Sequence, residues 1–131
     1  MEKKGKVTGI GGVFFKTDDP AKTKAWYTKH LGFKTDEYGH LFKFKEIDKE
    51  SIGHLQWSPF DSKTEYFSPS KNEFMINYRV ENLVELKKEL EADEVKIIDK
   101  IEEFEYGKFL HILDPEGRKI ELWEPTENAF E

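Results

Sequence analysis

Two short peptides recur in this chain, in the same order and half a chain apart. Glu37-Tyr38-Gly39 returns as Glu105-Tyr106-Gly107 (68 residues, 37 to 105), and Trp57-Ser58-Pro59 returns as Trp123-Glu124-Pro125 (66 residues, 57 to 123). The residues that read as helix caps, Asp18-Asp19 before Pro20 and Asn82 before Leu83, are spaced in the same way. The period is too long for a solenoid repeat, so the chain reads as two copies of one unit inside one domain. At 131 residues it has room for one domain and little more.

Each copy reads as β-α-β-β-β. In the first, Val7 to Phe15 is a glycine-punctuated strand and the helix from Pro20 stops at Gly32. Short strands are expected over Phe33 to Tyr38, Leu41 to Ile47 and Ile52 to Trp57. Residues from about 59 to 72 contain Pro59 and Pro69 without periodicity and read as the connection. In the second copy Phe74 to Val80 is a strand, and Asn82 caps a helix. There Glu85 stands at the capping-box position and Leu83, Leu86 and Leu90 form one stripe. Val95 to Ile101 is another strand. Asp114-Pro115-Glu116-Gly117 closes a hairpin by a type I turn with Gly117 at positive φ. The expected fold is therefore α+β: a single domain over 1–131, with module one at about 7–58, a linker at about 59–72 and module two at about 73–125. The two modules form a curved mixed sheet with helices on its convex side.

Period-two alternation sorts the hairpin residues. Leu110, Ile112, Ile120 and Leu122 share a core face; Phe109, His111, Glu121 and Trp123 share the other. Aromatic and titratable groups on one strand face suit a ligand pocket. Glu121 and His111 are the candidate catalytic residues, Glu121 as general base or polar anchor and His111 because imidazole titrates near neutral pH. Asn77 and Arg79 lie on the face of Met75, where Arg79 can hold a carboxylate or phosphate in two-point contact. Trp57 and Trp123 are candidates for stacking on a flat ligand, and Phe109 is a further candidate ligand contact. With no cysteine there is no disulfide or thiolate site. The net charge of −6, spread along the chain, argues against nucleic acid. No apolar run is long enough to span a membrane, and MEKKGKVTG is no signal peptide, so a cytoplasmic protein is expected.

GGVFFKTDDPAKTKAWYTKHLGF and YGKFLHILDPEGRKIELWEP carry a resemblance that extends over about residues 7 to 125. The chain resembles the vicinal oxygen chelate superfamily of glyoxalase, bleomycin-resistance and extradiol-dioxygenase-type proteins. That resemblance implies a scaffold shared by lyases, isomerases, dioxygenases and pure binders. It also implies a divalent ion held by four concave positions, which map to Gly11, Leu55 (by the tryptophan match), Met75 and Glu121. Of these only Glu121 is a residue type suited to the ion. The expectation is a small-molecule ligand, no cofactor, and a homodimer, as relatives of this length usually form. The alternative is a metal-dependent lyase, isomerase or dioxygenase whose divalent metal ion sits on a rearranged set, His54, His111 and Glu121. His54 is assigned to the helix side by alternation from Trp57, so the set needs a bulge near Gly53.

Overall fold

In the computed structural model, which describes residues 5–47 and 52–126, nine elements follow in order. They are β1 (Lys6–Thr17), α1 (Pro20–Leu31), β2 (His40–Lys45), β3 (Ile52–Asp61), β4 (Phe74–Glu81), α2 (Leu83–Ala92), β5 (Glu102–Phe104), β6 (Gly107–Leu113) and β7 (Lys119–Pro125). The strands make one mixed, curved sheet in the order β2-β3-β1-β4-β7-β6-β5, and it does not close. β1 and β4 meet antiparallel at the centre, with β3 parallel to β1 and β7 parallel to β4. The two modules thus face each other across the β1–β4 seam. No helix among the described residues is long and apolar enough to cross a membrane.

Both helices lie on one face. Asp19 caps α1, accepting from Lys22 N at 3.1 Å, Pro20 opens it, and Gly32 ends it at φ 75°. Tyr27 of α1 packs on Trp57, with centroids 4.6 Å apart. Under α2, Leu83 and Leu86 bury against Val80, Leu110, Ile112 and Leu122, the stripe that the leucine spacing predicts. The cap of α2 differs from expectation. Asn82 sits at φ 54° with no side-chain cap bond; the carboxylate of Glu124, on β7, accepts from Leu83 N at 2.7 Å. A partner distant in sequence supplies the helix start, so Glu124→Ala is expected to lower stability by about 1 kcal/mol in urea titration.

Two expected strands are absent as such. Residues 32–39 are irregular, so the first module is β-α-β-β. Side chains satisfy the backbone there: Asp36 accepts from Tyr38 N and Gly39 N, and the His40 ring takes the Lys34 N–H. Val95 to Ile101 keeps a single bridge, Ile97 to Ile112, and β5 begins only at Glu102, beside β6. The ladder breaks where Asp99 turns its carboxylate to His111. The final turn forms as expected, with Gly117 N donating to Asp114 O at 3.0 Å and Gly117 at φ 84°.

Candidate functional site

Strand register stacks the concave face, opposite the helices, in three rows. The middle row is polar: His111 on β6 pairs with Glu121 on β7, Glu121 with Asn77 on β4, Asn77 with Gly12 on β1, and Gly12 with Gln56 on β3. On one side of it Phe109, Trp123 and Arg79 form an aromatic and cationic row. On the other, Phe14 pairs with Met75, and the pair is closed over by Phe60, near the end of β3, and by Phe67, from the segment that follows it.

Glu121 is the hub of the middle row and is 2% exposed. Its Oε1 accepts from Asn77 Nδ2 at 2.6 Å; its Oε2 takes His111 Nε2 at 2.7 Å and the hydroxyl of Tyr66. The other ring nitrogen of His111, Nδ1, lies 2.6 Å from Asp99 Oδ2, and Asp99 Oδ1 accepts the backbone N–H of His111 at 2.8 Å. An imidazole with an acceptor on each side donates at both nitrogens when protonated. Burial works to lower the pKa of His111, but hydrogen bonds to Glu121 and Asp99 outweigh it, and the ring titrates above its ordinary value. For Tyr66, burial and then the Glu121 charge push the phenol well above its usual range, so it remains a donor. Among the described residues Asn77 Oδ1, turned towards Gly11, has no partner, a cost of about 1–3 kcal/mol for presenting Nδ2 to Glu121.

Arg79 lies between two rings, its guanidinium 5.4 Å from the Trp123 centroid and 5.9 Å from that of Phe44. It donates to Glu46 at 2.7 Å and to the carbonyl of His54 at 3.3 Å. Trp123 stacks on Phe109 at 5.9 Å and 10°, and its Nε1 donates to Tyr106 O. A cleft of about 510 Å³ opens beside Arg79, lined by Thr8, Gly9, Phe44 and Glu46 among others. It lies one row away from Glu121, which Tyr66 covers.

Of the residues singled out from sequence, the fold brings Glu121, His111, Asn77, Arg79, Trp123 and Phe109 onto one face. Trp57 is not among them. It packs under α1 with Tyr27, Phe33 and Phe15. The register explains the difference: Trp57 pairs with Val13, Val13 with Ile76 and Ile76 with Ile120, a row on the helix side, while Gln56, through Gly12 and Asn77, is the register counterpart of Glu121, so Trp57 is one residue out of phase with Trp123. Leu55 shares the helix-side phase of Trp57, so the tryptophan match set it one residue off too. By the same alternation His54 moves to the concave side, the reverse of the expectation. Tyr66 and Asp99 had no sequence signal, one lying in the apparent linker and the other inside an apparent strand.

The four positions expected to hold a divalent ion do not fit one. A Cβ at Gly11 would lie 2.4 Å from Asn77 Oδ1 and 2.9 Å from atoms of Arg79 and Trp123. Met75 is buried with Phe14 and Phe67, Leu55 is on the wrong face, and both oxygens of Glu121 are engaged. The rearranged set fares no better, since both ring nitrogens of His111 face carboxylates. Among the described residues no three His, Asp or Glu side chains are grouped to hold a metal ion.

Comparison with known proteins adds the lineage. The family model of the Glyoxalase/Bleomycin resistance protein/Dioxygenase superfamily matches residues 9–122. Among solved structures, a variant of Streptomyces coelicolor methylmalonyl-CoA epimerase in complex with 2-nitronate-propionyl-CoA is similar over 92% of this chain and 99% of its own, at 13% identity and TM-score 0.68. Methylmalonyl-CoA epimerase from Mycobacterium tuberculosis is similar over 92% and 89%, at 18% identity and TM-score 0.58. A glyoxalase/bleomycin resistance protein/dioxygenase superfamily member from Vibrio splendidus 12B01 is similar over 91% and 99%, at 14% identity and TM-score 0.55. At such identities the likeness is one of fold. No curated protein matches the chain.

Proposed function

Because the chain belongs to the Glyoxalase/Bleomycin resistance protein/Dioxygenase superfamily, we propose that it uses the concave face of that scaffold to bind a small organic ligand, without the usual four-ligand metal site. One observation carries this reading: the space where metal-binding side chains would converge is taken up by Asn77, Arg79 and Trp123 packed over Gly11. What remains is a guanidinium flanked by the rings of Trp123 and Phe44, with Phe109 stacked on Trp123, next to a cleft of about 510 Å³. That size suits a small organic molecule. A ligand carboxylate or phosphate would meet Arg79 in place of Glu46 and gain a charge-assisted, two-point contact.

Protein purified without chelator or affinity metal, then analysed for metals and by native mass spectrometry, tests the proposal. The expected result is metal far below one equivalent, with small-ligand adducts that Arg79→Met removes. One equivalent of divalent ion, lost in Glu121→Gln, would overturn it in favour of a metal-dependent lyase, isomerase or dioxygenase.

A further inference from the structure

Among the described residues Glu121 has three hydrogen-bond partners, and they are not alike. Asn77 and His111 belong to strands and are buried, at 2% and 7% exposure. Tyr66 is 41% exposed and comes from the irregular stretch between β3 and β4. Only Tyr66 can leave without opening the sheet.

Its ring sits in a site with well-defined sides. Phe60 stacks on it at 5.7 Å and 10°, and the His111 ring meets it edge-on at 5.6 Å and 87°. Lys119 Nζ stands 5.1 Å from the ring centroid. The hydroxyl donates to Glu121 Oε2 and lies 3.4 Å from His111 Nε2. The next residue, Phe67, is fully buried with Phe14 and Met75. It pins the backbone there, so Tyr66 can turn outward about its own Cα–Cβ bond while the segment stays in place.

We propose that Tyr66 is a built-in stand-in for a hydroxyarene ligand: a neutral phenolic ring takes its place, stacking on Phe60 and donating its hydroxyl to Glu121. This rests on the reading of the concave face as a ligand site and names the class of ligand. The chemistry of the site selects that class. A benzene ring without a hydroxyl leaves Glu121 Oε2 one donor short, and a benzoate sets a second carboxylate against the first. Lys119 and the His111 ring supply positive charge to the site, while Glu121 and, behind His111, Asp99 supply negative charge. Desolvation and the two carboxylates prevail for the phenol already there, which is held un-ionised, and a bound phenol is held in the same form.

The probe is 4-nitrophenol, whose phenolate is yellow and whose neutral form is not. Tyr66→Ala vacates the site. At a pH where the free probe is mostly phenolate, this variant is expected to bleach the colour saturably, one probe per chain, with affinity at least tenfold above that of the unmodified protein. Adding Glu121→Gln should weaken binding at least tenfold, and nitrobenzene should bind at least tenfold more weakly than the phenol. Folding of each variant is checked by circular dichroism. A folded Tyr66→Ala that leaves the colour unchanged, or binds nitrobenzene as well as 4-nitrophenol, overturns the proposal. Ligands whose binding is lost in Arg79→Met but indifferent to Tyr66→Ala would overturn it while leaving the broader concave-face reading intact.

Discussion

Phe67→Ala is expected to destabilise the protein by about 3–5 kcal/mol, the range for removing a large aromatic from a closed core. Phe67 is fully buried, in a cluster with Phe14 and Met75, with Phe60 at 5.2 Å between ring centroids. Nothing near it collapses easily, because Phe14 and Met75 are held in adjacent strands of the sheet. The loss also has a local consequence. Phe67 anchors the irregular segment whose preceding residue covers Glu121, so its removal should free Tyr66 and raise the susceptibility of residues 62–72 to proteolysis. Urea unfolding gives the first quantity and limited proteolysis the second. A loss below about 1 kcal/mol would mean that the segment is not a working part of the core.

Glu121→Ala is expected to cost a similar amount, about 3–5 kcal/mol, for a different reason. It strips the acceptor from three donors at once, Asn77 Nδ2, His111 Nε2 and the Tyr66 hydroxyl. It also leaves the imidazole facing Asp99 alone. The pH dependence carries the signature. The pKa of His111 is raised on folding, so its stabilising contribution is complete below the unfolded value of about 6.5 and fades as pH climbs through the higher folded value. In Glu121→Gln that slope should flatten, because the amide keeps the shape and loses the charge. Urea midpoints at a series of pH values from weakly acidic to weakly alkaline check it; equal slopes in both proteins would contradict the assignment.

The parts of this architecture visible in the amino-acid order are those set by local rules. Asp114 to Gly117 dictates its turn through backbone chemistry within four residues. Alternation around it was enough to put His111 with Glu121, since one hairpin sets both strands in register. The cap and stop of α1 are equally local. What escaped needs contacts between distant segments. Tyr66 reaches Glu121 across 55 positions from a stretch with no periodicity. Asp99 sits in a run that alternates like a strand, and only the pull of His111 takes it out of the ladder. Glu124 caps a helix that starts 41 residues earlier, where Asn82 looked sufficient. Trp57 lies on the helix side because matching the two tryptophans is one residue out of step with the strand register, which sets Gln56, not Leu55, in the row of Glu121.

The account turns on a charged Glu121 gripping a protonated His111 within the sheet. Nitrogen NMR of the His111 ring, followed through a pH titration in the unmodified protein and in Glu121→Gln, measures that directly. Both ring nitrogens should remain protonated above the pH at which an ordinary histidine loses its proton, and the substitution should bring the titration down. A ring that titrates at or below the ordinary histidine value, or that ignores the substitution, would contradict it.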